Sequence, residues 1–153
     1  MSTVTVRPLD PADRERWADL YRGYREFYEH PSDEAVVERV WRWVTDADHE
    51  VSALVAEIDG RAVGIAHYRR FARPSTGTVG MFLDDLFTDA SVRGQGVGRA
   101  LIAAVTEIAA SENCSVVRWL TSETNAQARV LYDQVATVTP VITYDIVPTR
   151  LDV

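Results

Sequence analysis

Apolar and polar positions alternate from the start of the chain, where residues 3–9 (TVTVRPL) predict a strand closed by Pro8 and the Asp10-Pro11 turn. Asp10 or Asp13 can then cap a helix, along which Trp17, Leu20, Tyr21, Tyr24, Phe27 and Tyr28 recur at helical spacing. His30-Pro31-Ser32 breaks that helix, and a second follows with Val37, Val40, Trp41 and Val44 on one face. Residues 51–58 (VSALVAEI) and 62–68 (AVGIAHY) flank Asp59-Gly60, a strong two-residue hairpin signal. A loop with Pro74 and Gly77 leads to a strand over 79–88, and a glycine-rich segment then opens a helix from Val97 to Ala110 with Leu101, Val105 and Ile108 inward. A strand over 116–121, a helix from Asn125 to Val135 and a strand over 138–147 complete the pattern. The order β-α-α-β-β-β-α-β-α-β describes a mixed α/β sheet with helices packed on it. With no repeat, low-complexity stretch or linker, residues 1–153 read as one domain.

Composition narrows the function without naming it. At 153 residues, with 46% hydrophobic and 25% charged positions, the chain has an ordinary globular balance. No apolar run approaches the roughly 18 residues that cross a bilayer, and the first ten residues lack a signal-peptide core, so no membrane partner and a cytoplasmic location are expected. A net charge of −7 argues against a nucleic-acid surface, which needs clustered Lys and Arg, and suits a cationic small molecule or basic peptide somewhat better. The single cysteine, Cys114, excludes an internal disulfide and has no evident activating partner, which argues against a nucleophilic role for it. His30, His49 and His67 share no ligand-like spacing, so no metal is expected. Arg69, Arg70 and Arg73 read as a solvated loop rather than a phosphate clamp.

The chemistry concentrates in Arg93-Gly94-Gln95-Gly96-Val97-Gly98-Arg99, three alternate glycines between a strand and an amphipathic helix. Glycine allows positive φ and leaves no Cβ against an approaching ligand, and N–H groups at a helix start form a nest for a pyrophosphate. A P-loop would need Gly-Lys-Ser/Thr where Gly98-Arg99-Ala100 stands, and the dinucleotide fingerprint lacks its third glycine. What remains is R-x-x-G-x-G. Just upstream, Asp84 and Asp85 are adjacent carboxylates in a mostly apolar strand, and strict alternation would send them to opposite faces.

R-x-x-G-x-G between a strand and a helix resembles the signature of the GNAT superfamily of acetyl-CoA-dependent N-acetyltransferases, and Asn125-Ala126-Gln127-Ala128-Arg129-Val130-Leu131-Tyr132 resembles its N-x-x-A-x-x-x-Y stretch. The likeness covers nearly the whole chain. It implies the GNAT acyl-CoA N-acyltransferase fold, acetyl-CoA as co-substrate and transfer to a primary amine by direct attack in a ternary complex. It implies that the cofactor is held by Leu86, Phe87 and Thr88, by Arg93, Gly94, Gln95, Gly96, Val97, Gly98 and Arg99, and by Asn125 and Tyr132. Tyr132 would protonate the leaving thiolate, and Asp84 aligns with the base proposed for the family's diamine acetyltransferases. The run L-Y-x-x-Y-x-x-F-Y also looks like fungal histone and polyamine acetyltransferases, which brings Tyr24 and Tyr28 to the acceptor pocket beside Asp84. Family habit implies a homodimer. The family's frequent Tyr-x-x-x-Gly-Phe continuation is replaced here by Tyr132-Asp133-Gln134-Val135-Ala136-Thr137. The rival function is an acyl-CoA-binding regulatory or structural domain without turnover.

Overall fold

The computed structural model describes residues 3–149, which divide into two compact units, one ending at Thr121 and one beginning at Ser122. The first unit contains β1 (Val4–Pro8), α1 (Arg14–Phe27), α2 (Glu34–Thr45), β2 (Ser52–Ile58), β3 (Arg61–Arg73), β4 (Thr78–Thr88), α3 (Val97–Ser111) and β5 (Val117–Arg118). The strands lie in sequence order, all antiparallel except β4 with β5, which the α3 crossover makes parallel.

Local chemistry explains most boundaries. Asp10 and Asp13 form a reciprocal capping box around a short 3-10 turn, and α1 follows directly. Asp33 caps α2 through Ala35 and Val36. Asp59 and Gly60 both take positive φ, 52° and 76°, as a tight hairpin between twisted strands requires. Trp17, Leu20 and Tyr21 of α1 and Val37, Val40 and Trp41 of α2 pack with Val55 and Ile65 on one face of the sheet. On the other face α3 buries Leu101, Ile102, Val105 and Ala109, while Ile108 stays half-exposed. Gly64 of β3 lets α3 seat closely, since a Cβ there would stand 2.6 Å from Val97 Cγ1. Covered on both faces, β2 and β3 are nearly continuous apolar runs.

Several expectations are corrected. Strand β3 runs on through Arg73, so Arg69, Arg70 and Arg73 belong to a strand rather than a loop, and they bond Asp84, Glu112 and Ser115 respectively. Extended pairing with β4 across the Pro74–Gly77 turn carries them out of the expected loop. Phe27, expected on the apolar face of α1, is about half exposed as the helix ends. The strand expected over 116–121 shrinks to Val117–Arg118.

The second unit holds α4 (Ala126–Val135). The strand expected over 138–147 does not form. Val138, Val141, Ile142, Tyr144, Ile146 and Val147 are exposed, with Ile146 at 90%. β-propensity expresses fit to a paired, half-buried surface, and without a ladder the alternation has nothing to act on; Pro140 also lacks an N–H to donate.

Candidate active site

The pairing of β3 with β4 slips between His67 and Tyr68: His67 opposes Asp85, Tyr68 opposes Leu83, and Asp84 is the extra residue of a β-bulge. A bulge leaves its extra residue unpaired and re-aims the side chains around it. The bulge interrupts the strict alternation expected to segregate the two carboxylates: Asp85 bonds His67 and Asp84 bonds Arg69, two residues apart on β3. Parallel pairing of β4 with β5 covers only Met81 and Phe82, so β4 runs from the bulge to Thr88 without a β5 ladder.

The neighbouring acids have different partners. Asp84 receives Arg69 Nε at 3.1 Å on both carboxylate oxygens, yet burial outweighs that cation and holds its pKa above the ordinary value. Asp85 sits deeper and meets His67 Nδ1 at 2.7 Å. Burial pushes Asp85 upward, but chiefly the hydrogen bond from His67 brings it below the usual carboxylate range. The Tyr24 phenol is pushed strongly up by burial and by Asp85, and burial raises Tyr21 to about 12. Both phenols are therefore neutral donors at physiological pH.

Aromatic side chains line this corner. Trp17 stacks on Tyr21 at 5.2 Å, Tyr21 on Tyr24 at 5.8 Å, and Tyr24 meets Tyr28 at 4.9 Å and the edge of Phe87 at 6.5 Å. Tyr24 and Tyr28 therefore stand beside each other at the C-terminal end of α1, with Tyr24 on Asp85 rather than on the expected Asp84. His67, only 1% exposed, lies between Trp17 and Asp85 and accepts from Trp17 Nε1 at 3.0 Å through its Nε2. Sequence reading missed this group. Its one signal was a histidine inside the apolar run AVGIAHY, in a stretch of strand that is buried throughout.

Leu86, Phe87 and Thr88 complete β4 opposite Ala66, Ile65 and Gly64. Asp89 then caps a 3-10 turn over Ala90–Val92, accepting from Ser91 N at 3.0 Å and pairing with Arg16. These contacts lower its pKa to about 2. Arg93 folds back so that Nε reaches the Thr88 carbonyl at 3.4 Å, with its guanidinium 5.4 Å from the Phe27 ring and 5.7 Å from that of Phe87. Gly94 and Gly96 follow at φ 82° and 85°, with nothing within 4 Å of where a Cβ would stand. Gln95 lies between them. Gly96 is the N-cap of α3 and supplies no side chain, so the first-turn N–H groups of Val97 and Gly98, which have no intrahelical acceptor, receive no side-chain cap. Such an end carries partial positive charge and fits a phosphate-bearing ligand. Gly98 and Arg99 continue the first turn, while Val97 is buried against the sheet.

In the second unit Asn125 occupies the N-cap position of α4 without a side-chain cap bond, and Tyr132 lies two turns further along that helix. Cys114, half-buried, follows the end of α3 and donates its N–H to the Ala109 carbonyl.

A bulged strand that loses its neighbour thus leads into a glycine-opened helix without a side-chain cap, and comparison with known proteins shows which family carries this arrangement. The family model described as acetyltransferase (GNAT) family matches residues 17–136. The D-amino-acid N-acetyltransferase HPA3 of Saccharomyces cerevisiae is 28% identical over 143 residues, 92% of this chain and 89% of that protein. An aminoglycoside N(6')-acetyltransferase type 1 of Stenotrophomonas maltophilia is 35% identical over 108 residues, 68% of this chain and 66% of that protein. A ribosomal-protein-alanine N-acetyltransferase structure from Brucella melitensis superposes with a TM-score of 0.80 at 24% identity, covering 94% of this chain and 99% of that one, and shares the fold. The chain belongs to the acetyltransferase (GNAT) family.

Proposed function

We propose that the protein is an N-acetyltransferase that moves acetyl from acetyl-CoA onto a primary amine by direct attack in a ternary complex. The observation that carries this reading is the start of α3, where Gly94 and Gly96 leave room at positive φ and no side chain fills the helix end. A pyrophosphate would be held by backbone N–H groups from Gly94 to Gly98, flanked by Gln95, Arg93 and Arg99. The edge of β4 from Leu86 to Thr88, without a β5 ladder, would take the pantetheine arm. Acetyl-CoA supplies the thioester carbonyl that the amine attacks.

An alkylammonium, with a pKa near 10.4, must lose a proton before its nitrogen attacks. Asp84 is the proposed base, since burial raises its affinity for that proton. Tyr24 and Tyr28 present ring faces that would hold a cationic acceptor. Asn125 and Tyr132 take their roles, a bond to the cofactor arm and a proton for the departing thiolate, from the sequence motif. The relatives' names point to different amines, a D-amino acid and an aminoglycoside, so the polyamine and histone likeness does not select the acceptor.

The deciding experiment is thiol release from acetyl-CoA across a panel of diamines, amino acids, aminoglycosides and basic peptides, with hydroxyl analogues as controls. Amine-dependent release that falls in Asp84→Asn is expected. Tight acetyl-CoA binding with no release for any amine would instead make the chain an acyl-CoA-binding domain.

A further inference from the structure

The buried Trp17–His67–Asp85 chain is used by nothing above. An indole N–H can only donate, so the 3.0 Å contact makes His67 Nε2 an acceptor. The ring's one proton is then on Nδ1, aimed 2.7 Å away at Asp85. A second proton would put an Nε2–H against the Trp17 N–H, donor to donor, at a site 1% exposed. The Trp17 contact thereby selects the Nδ1-protonated tautomer and opposes a second proton on Nε2.

The surroundings of Asp85 explain why this matters. Facing the pair are Tyr21 and Tyr24 from α1, His30 from the segment after it, and Asp84 with its partner Arg69 from the sheet. Arg25, near Tyr21, is engaged by the Pro31 carbonyl. Arg69 is committed to Asp84. With a neutral His67, Asp85 keeps a full negative charge within a wall of aromatic rings; with an imidazolium there, the pair would be neutral and would offer a cation little.

We propose that Trp17 and His67 are positioning residues, which hold Asp85 ionised and fixed in orientation so that it receives the acceptor's ammonium group before Asp84 removes its proton. The inference rests on the N-acetyltransferase reading above. It divides two adjacent carboxylates between recognition and proton transfer, and assigns the orientation of the first to a tryptophan that never meets substrate.

The test is long-range ¹H–¹⁵N spectra of the substrate-free wild-type protein together with amine KM against pH for wild type and Trp17→Phe. In wild type near neutral pH, His67 should carry a proton on Nδ1 only, with Nε2 accepting from Trp17. In Trp17→Phe, Nε2 loses the donor that fixes the tautomer and can take a proton as pH falls. The amine KM, relative to wild type, should rise about tenfold near pH 6 and return toward unity near pH 8.5, with kcat nearly unchanged. A merely structural tryptophan would give a loss independent of pH. Wild-type spectra with an Nε2 proton near neutral pH overturn the proposal even if Trp17→Phe fails to fold; so does a pH-independent KM ratio. A chain that acetylates no amine overturns the parent reading and the acceptor role with it, and the substrate-free spectra distinguish that failure from a failure of the tautomer lock.

Discussion

Helices α2 and α3 begin in opposite ways. Asp33 enters α2 in an extended conformation, φ −153°, and its carboxylate accepts from Ala35 and Val36 at 3.0 and 3.4 Å. Gly96 enters α3 at φ 85° and brings no side chain. One helix caps its own first turn with a side chain, while the other leaves its first turn without a side-chain cap. Stability alone would favour an Asp, Ser or Thr cap at both, by about 1 kcal/mol each. The second start gives up that stabilisation and gains an electropositive nest, as a binding site would.

The largest expected effect comes from giving α3 what α2 has. Gly96→Asp places a carboxylate over the nest, competing for its N–H groups and repelling phosphate. Acetyl-CoA affinity, by isothermal titration, should fall by about a hundredfold or more, equivalent to roughly 3 kcal/mol. Aspartate tolerates positive φ better than most residues, so the variant should remain folded by circular dichroism. Undiminished titration in the folded variant would remove the pyrophosphate from this loop.

A smaller effect should follow from loosening the approach to the loop. Asp89 caps the turn before Arg93 and pairs with Arg16, and its pKa of about 2 lies below the usual carboxylate value. A depressed folded pKa means stability that is fully present above about pH 4 and lost as pH falls through about 2. Asp89→Asn removes that contribution at neutral pH. It should cost about 1–2 kcal/mol in urea unfolding at pH 7 and flatten the acid limb between pH 4 and 2. Acetyl-CoA affinity should weaken only several-fold, because the N–H groups themselves remain.

How far this contrast can be read from sequence depends on how local its causes are. The Asp59-Gly60 turn, the apolar face of α1 through Trp17, Leu20 and Tyr21, and the glycine run before α3 follow from neighbours within a few residues, and all are legible. The bulge at Asp84 is a register property of two strands, and no pattern within β4 announces it. His67 gains its meaning only when α1 brings Trp17 onto β3, fifty residues away in sequence. The expected strand over 138–147 has propensity without a ladder, and the structure leaves its apolar residues exposed. Composition shows an acidic protein, but it could not show that one acid of the pair bonds an arginine and the other a histidine.

The smallest effect should come from emptying the cap of α2. Asp33→Ala removes a carboxylate that accepts two N–H bonds and that stands favourably at the positive end of the helix. The residue is exposed, so water can replace part of what is lost, and no cavity opens. The Val37, Val40 and Trp41 face still holds α2 on the core, which keeps the helix formed. A loss of about 1 kcal/mol is expected, with Tm lower by roughly 2–5 °C. Acetyl-CoA affinity should be unchanged, since α3 and its glycine turn share no bond with Asp33. Measured side by side, Asp33→Ala should lower Tm without touching binding, and Gly96→Asp should abolish binding with little change in fold. If Asp33→Ala instead weakened acetyl-CoA as much as Gly96→Asp does, the two helix starts would be one coupled unit, and the open end of α3 would lose its claim to be a dedicated site.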